Sequence, residues 1–458
     1  SGTSANQDNV TACPDGAGGI IMAWEDNRSG PNKIYIQKIN SLGQTIYTNG
    51  GIGISPTAGE QFNPVICSDA AGGSIVYWID GRLGGSNYNI YAQRIRTDGI
   101  NMWNSEGVKV NELPFNFPPN RVTLNCIESS AGASIIAWNE SYSGTRKLYT
   151  QKLDAFGVRL WGASDVLLES AGVLSFSLCK SSSGSGAFFC YAQTGASAEI
   201  YAQYVNTTGN IQWSPKKDVC TSTGNQTGPT MCEDQTGGFI VAWEDSRTGT
   251  NSDIYAQHFN SSGNYLWDFQ GKAICVNTYD QINPSCISDL HSGAHIIWLD
   301  KRPGGISGDE IYGQNINFNG ETRWAANGLK IADKVDYVTT VDHRFNPKIA
   351  VTDALGGIIV CWLGYYDAGL TQYGILTQKV DYYGAIQWDP NGVFASKGNL
   401  KKGPHLIFDG GSGGCNIAWA DGRYYGVNDY DIYAQHIKSG SGIGDLAHSN
   451  KVSKTNFV

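Results

Sequence analysis

Nothing in this sequence is long and apolar enough to suggest a membrane span: no hydrophobic run approaches the roughly twenty residues that a spanning helix needs. No basic stretch followed by an apolar one stands at Ser1, so any export signal is expected to have been removed or never to have existed. There is no Cys-x-x-Cys and no His-Glu-x-x-His, which removes the usual zinc patterns; no metal or cofactor is expected. Basic residues are also scarce. Lys and Arg number 32 against 41 Asp and Glu, a net charge of −9. A nucleic-acid partner would need a clustered basic footprint, so none is expected.

What the chain has in excess is glycine, 58 residues, together with aromatics and frequent turn signals, the composition of an all-β protein of short strands. A three-part pattern recurs eight times: a Gly-Gly turn, an apolar strand ending in Trp-x-Asp-x-Arg, and Asp-Ile-Tyr-Ala-Gln shortly after. The strand-ending aromatics are Trp24, Trp78, Trp138, Tyr191, Trp243, Trp298, Trp362 and Trp419. The closing glutamine is present in every copy, as Gln37, Gln93, Gln151, Gln203, Gln257, Gln314, Gln378 and Gln435. Self-similarity of this period means one supersecondary unit repeated side by side.

The second copy shows the unit. Val65–Ser68 reads as a first strand and Ser74–Asp80 as a second, with Ile75, Tyr77 and Ile79 on one face and Val76 and Trp78 on the other. Asn89–Arg96 reads as a third, and a fourth is expected around Met102-Trp103, continuing through Val108–Val110. Such a sheet has two apolar faces and cannot bury both alone; radial repetition buries them. The expected fold is an all-β β-propeller of eight four-stranded blades, one domain over residues 1–458. Its last blade is degenerate, since no tryptophan follows Gln435 as Trp103 follows Gln93, and either tail could complete it.

Anything present in most copies is read as architecture. Cys13, Cys67, Cys126, Cys179, Cys232 and Cys286 each lie eleven or twelve residues before their repeat's aromatic, which suits small buried hydrophobes without disulfides between blades. Cys179 and Cys190 would oppose each other across a symmetric hairpin and are the one pair that could bond. Asp and Arg of the motif are read as turn and ion-pair residues, because a catalytic site needs asymmetry. His291 and His295 bracket a turn and are read as solvent-facing. No catalytic residue is assigned, and the chain is expected not to be an enzyme.

The asymmetry lies in the loops after the second and fourth strands: Glu112–Asn120, Arg302–Asp309, Ala332–Phe345, Gly364–Tyr373 and Gly422–Asp431. The last two carry Tyr365, Tyr366, Tyr373, Tyr424, Tyr425 and Tyr430, a candidate partner-binding surface.

The repeat, best formed at Gly237–Trp267, resembles those of exported propeller proteins of Bacteroidota-type bacteria. The resemblance implies a periplasmic or outer-membrane-associated location, or alternatively the cell surface. About twenty residues follow Gln435, too few for the sorting domain of many such proteins. The resulting expectation is a protein-interaction module of the envelope, such as a plug-like component sealing the periplasmic side of the type 9 outer-membrane translocon. The alternative is an extracellular carbohydrate-binding propeller or a glycosidase. A quinone-dependent dehydrogenase, the other eight-bladed possibility, lacks its adjacent cysteine pair here.

Overall fold

A computed structural model describes residues 6–85, 87–115, 122–130, 132–142, 145–181, 186–249, 251–302, 309–335, 349–365, 373–398, 401–408, 413–422, 430–440 and 450–451. These residues hold no helix, hence none that could cross a membrane. Each repeat forms one antiparallel blade whose four strands pair in chain order, so the fold is the eight-bladed β-propeller the repeat count implies. In blades six and seven the two sheets are joined by a single pairing, Val335 with Gly364. Chain contacts divide the blades into two compact units, one holding blades one, two, three and eight and the other blades four to seven.

Blade two consists of Gln61–Ser68, Ser74–Asp80, Asn89–Ile95 and Val108–Lys109. Its two faces part as the alternation requires. Ile75, Tyr77, Ile79, Ile90 and Ala92 pack against Leu124, Ile136 and Trp138 of blade three. Val76, Trp78, Tyr91 and Ile95 pack against Ile21, Ala23, Ile34 and Ile36 of blade one. Both faces are thus core, and seven strand-ending tryptophans and Tyr191 are fully buried.

The fourth strand is shorter than expected, and Trp103 lies in the loop before it. The reason is Gln93, whose buried side chain receives the Trp103 and Arg94 backbone N–H groups on Oε1 (3.0 and 3.1 Å) and donates from Nε2 to Asn104 O (2.7 Å). That clamp holds the loop out of the ladder. Gln37, Gln314 and Gln378 do the same in their blades. The displaced tryptophan then serves as a seat for the next blade: Trp103 Nε1 donates to Ala155 O (2.9 Å), and a Cβ on Gly157 (φ +83°) would meet the ring at 2.9 Å.

In the first unit the last blade takes its fourth strand from Asn450–Lys451, so the C-terminal end completes it. Residues from Gln7 onward form the first strand of blade one, bonded to blade eight through Gln7 N–H to Tyr430 O (2.8 Å).

In the second unit, Cys179 pairs with Phe188 and Cys190 with Ser177, because the hairpin register is offset; the expected opposition does not occur. All eleven cysteines are free thiols. Burial pushes Cys179 well up from its ordinary value. The Sγ atoms of Cys232 and Cys286, equivalent positions in neighbouring blades, lie 3.2 Å apart.

Candidate functional site

The intact Trp-x-Asp-x-Arg motif is closed upon itself. In blade two Trp78 Nε1 donates to Asp80 Oδ2 (2.8 Å), the Arg82 backbone N–H donates to Oδ1 (2.9 Å), and the Arg82 guanidinium pairs with both oxygens while lying 3.5 Å over the Tyr91 ring. Burial raises the Asp80 carboxyl, but bonds from Arg82 and Trp78 outweigh it and leave the group below its ordinary value. Blades five and six repeat this arrangement through Trp243, Asp245 and Arg247, and Trp298, Asp300 and Arg302. The carboxylates are saturated by their own blade, so these motifs are structural.

Blade three departs from it. Glu140 stands in the aspartate's place, Tyr142 in the arginine's, and Asp165 in the place of Gly107 of blade two. Trp138 stacks on Tyr149 (5.8 Å, 18°) much as Trp78 does on Tyr91. Its indole N–H, however, meets no acceptor among the described residues. Burial raises the Glu140 carboxyl, opposed by a bond from the Tyr149 hydroxyl and the charge of Lys147, and the Asp165 charge adds to the rise. Asp165 is also raised by burial, against the Glu112 backbone N–H (2.8 Å) and the Arg159 guanidinium (2.6 Å). Tyr149 is pushed up to about 12 by burial and the neighbouring Glu140 charge. Burial thus raises both carboxyl groups, and they differ in their partners: Asp165 is ion-paired with Arg159, whereas Glu140 is bonded by the Tyr149 hydroxyl.

Blade four departs differently. Its motif positions hold Tyr191, Gln193 and Gly195, and the missing cation is supplied from elsewhere in the same blade. Lys216 Nζ lies 3.7 Å over the Tyr201 ring and 5.4 Å from that of Tyr191, and donates to Gln193 Oε1. The segment that brings Lys216 there, with a cis Ser214–Pro215 peptide, opens a cleft of about 600 Å³ toward the blade-five turn. Trp213, Pro215, Lys217, Asp218, Asn264 and Tyr265 line it. The Tyr265 hydroxyl donates to Asp218 O (2.7 Å), and its ring meets Phe269, 61% exposed, edge-on at 5.5 Å.

Of the tyrosines read as a binding surface, Tyr365 and Tyr373 are cross-strand partners with rings 4.9 Å apart. Tyr430 is 5% exposed and packs in the core between blades eight and one, so its ring is not on a loop surface. Tyr366, Tyr424 and Tyr425 lie outside the described residues, as do most residues of the insertions. His295 is fully buried rather than solvent-facing, because the neighbouring blade covers it. Sequence reasoning passed over Glu140, Asp165 and Lys216. The signal for the first two was available as departures from a repeat; for Lys216, distant in sequence from Gly195, there was none. Among the described residues no group of three or more His, Cys, Asp or Glu side chains could hold a metal.

The chain matches no protein-family model and no curated protein sequence. Among solved structures it is similar to the BP39L lectin of Burkholderia pseudomallei (9% identity, TM-score 0.49, covering 95% of this chain and 97% of that one). It is also similar to a PL25 ulvan lyase (11%, 0.45, 97% of each chain) and to an endo-arabinase of Bacteroides thetaiotaomicron (15%, 0.33, 56% of this chain and 92% of that one). At such identities the likeness concerns the fold alone. The expectation that the chain is not an enzyme is withdrawn, because it rested on the repeat looking purely architectural and proteins described as an endo-arabinase and a polysaccharide lyase are among the similar structures; the likeness itself assigns no activity to this chain.

Proposed function

We propose that this protein recognises carbohydrate, and that the cleft between Trp213 and Tyr265 is a sugar-binding site. The observation that carries this reading is the composition of the cleft: aromatic rings beside a lysine, an amide and a carboxylate, in a concavity of about 600 Å³. Sugars present apolar C–H faces and hydroxyl edges, and a few placed polar groups among aromatics suit both. Affinity electrophoresis through gels cast with soluble polysaccharides tests it. Retardation of the wild-type protein should be lost in Tyr265→Ser and Lys217→Ala, with unchanged melting temperature. Equal retardation of both variants would remove the cleft from consideration.

A second reading, a protein-interaction module of the bacterial envelope such as a plug-like component of the type 9 translocon, draws on the Tyr365–Tyr373 pair at the foot of an insertion. Its test is capture of membrane proteins from native envelopes by a tagged copy. Replacement of Tyr365, Tyr366, Tyr424 and Tyr425 by serine should abolish that capture.

A further inference from the structure

Blade three has no arginine at the motif position, where Tyr142 stands, and gains a second acid, Asp165. A pair of acids alone would mean little. The independent observation is Trp138, 1% exposed and stacked on Tyr149 much as Trp78 is on Tyr91, where the intact blades bond the indole N–H to the motif carboxylate. That N–H has no acceptor among the described residues, and neither has the buried Arg159 Nε–H. Buried donors without partners are rare, and two of them beside two carboxyl groups suit a ligand rich in hydroxyl oxygens. Trp362 also lacks an acceptor among those residues, but Gly364 takes the aspartate's place there and brings no acid.

We propose that Glu140 and Asp165 are the acid and the base of a glycoside-hydrolysing site, with Trp138 and Arg159 donating to substrate hydroxyls. The inference rests on the carbohydrate reading but concerns a separate set of residues. The roles follow from the surroundings. Glu140 stands without the guanidinium its counterparts carry, and it accepts a bond from Tyr149, whose hydroxyl keeps its proton at neutral pH. Burial raises both carboxyls, and the geometry separates them: Asp165 is ion-paired with the Arg159 guanidinium at 2.6 Å and takes the Glu112 N–H, whereas Glu140 is bonded by a neutral hydroxyl with the Lys147 charge nearby.

In the reaction the Glu140 proton passes to the glycosidic oxygen as its bond to the anomeric carbon breaks. Water bonds to that carbon and gives a proton to Asp165, and proton return through solvent restores the pair. One water is consumed, two hydroxyl-bearing sugars are formed, and no electron is transferred.

The test uses the whole protein with dyed arabinan, xylan and polygalacturonate, and with 4-nitrophenyl glycosides. Wild-type protein should release reducing ends from at least one polysaccharide. Glu140→Gln should lower kcat/KM on that polysaccharide by about 10²–10⁴-fold. It should spare cleavage of nitrophenyl glycosides, whose leaving group needs no proton, whereas Asp165→Asn should abolish both. Thermal unfolding of the two variants close to wild type separates chemistry from misfolding. Retardation by a polysaccharide gel without cleavage of any substrate overturns this inference alone; neither retardation nor cleavage overturns the carbohydrate reading as well. Cleavage retained by Glu140→Gln, or products with the ultraviolet absorbance of unsaturated uronates, would also overturn it.

Discussion

His295 Nε2 lies 2.7 Å from the carbonyl oxygen of Gly356, which joins blade six to blade seven across a fully buried contact. Nδ1 receives Asn315 Nδ2 at 3.3 Å, so the ring is in place as the neutral Nε2–H tautomer. Its ring also rests on Trp324 at 5.2 Å. Burial lowers its pKa to about 4, against the charges of Asp289 and Asp353.

A lowered histidine pKa makes the unfolded chain the better proton acceptor below the ordinary value of about 6.5. The stabilisation is therefore complete above about pH 6.5 and is lost as pH falls toward 4. Its upper bound is about 3 kcal/mol. Urea midpoints measured between pH 7 and 4.5 should fall in the wild type. The slope should be shallower for His295→Gln, which keeps a donor but does not titrate. Parallel slopes for the two proteins would show that another group governs this window.

The repeat makes a comparison possible between two tryptophans in like surroundings. Trp78 donates to Asp80, whereas Trp138 finds no acceptor among the described residues. Replacing either by phenylalanine leaves a similar cavity, but only Trp78→Phe removes a hydrogen bond to a charged group, the Asp80 Oδ2 that Arg82 also bonds. Trp78→Phe should therefore cost about 1.5–3 kcal/mol more than Trp138→Phe. Equilibrium unfolding of both variants measures the difference, and equal losses would mean that the indole–carboxylate bond contributes nothing net.

How much of this was legible follows from where each signal sits. The two faces of Ser74–Asp80 could be read directly, because period-two alternation is local and both faces are apolar. The blade count was legible because the glutamine is never lost, although its work as a clamp on the Trp103 loop was not. Hence the fourth strand was placed too early. His295 was misplaced because its cover comes from Gly356, in another repeat. The blade-three site was visible as substitutions at repeat positions, but only the structure shows that Trp138 and Arg159 are left with donors to spare. A strict reading of repetition as architecture discards the copies that differ, and those copies hold the candidate chemistry.

Lys216 gives the last test, since it replaces an arginine from a different place in the chain. In blades one, two, five and six the cation over the third-strand tyrosine comes from the motif itself. In blade four it comes from Lys216, which donates a hydrogen bond to Gln193 Oε1 where an aspartate would stand. If the cation and not the motif is what the tyrosine requires, Lys216→Ala should cost about 1 kcal/mol. Adding Gln193→Asp and Gly195→Arg should then recover most of that loss. Gly195 is not in the left-handed region, and a Cβ there would approach only Ser197 O, at 3.2 Å, so the arginine can be accommodated with a small adjustment. In the presence of Lys216 the same two substitutions should bring no gain, because two cations would compete for one ring face. The decisive quantity is the coupling energy from urea unfolding of the four proteins. A value near zero would mean that Lys216 only happens to lie over Tyr201. A value of about 1 kcal/mol would show that blade four has kept the contact while giving up the motif, which leaves its fourth-strand segment free to open the Trp213 cleft.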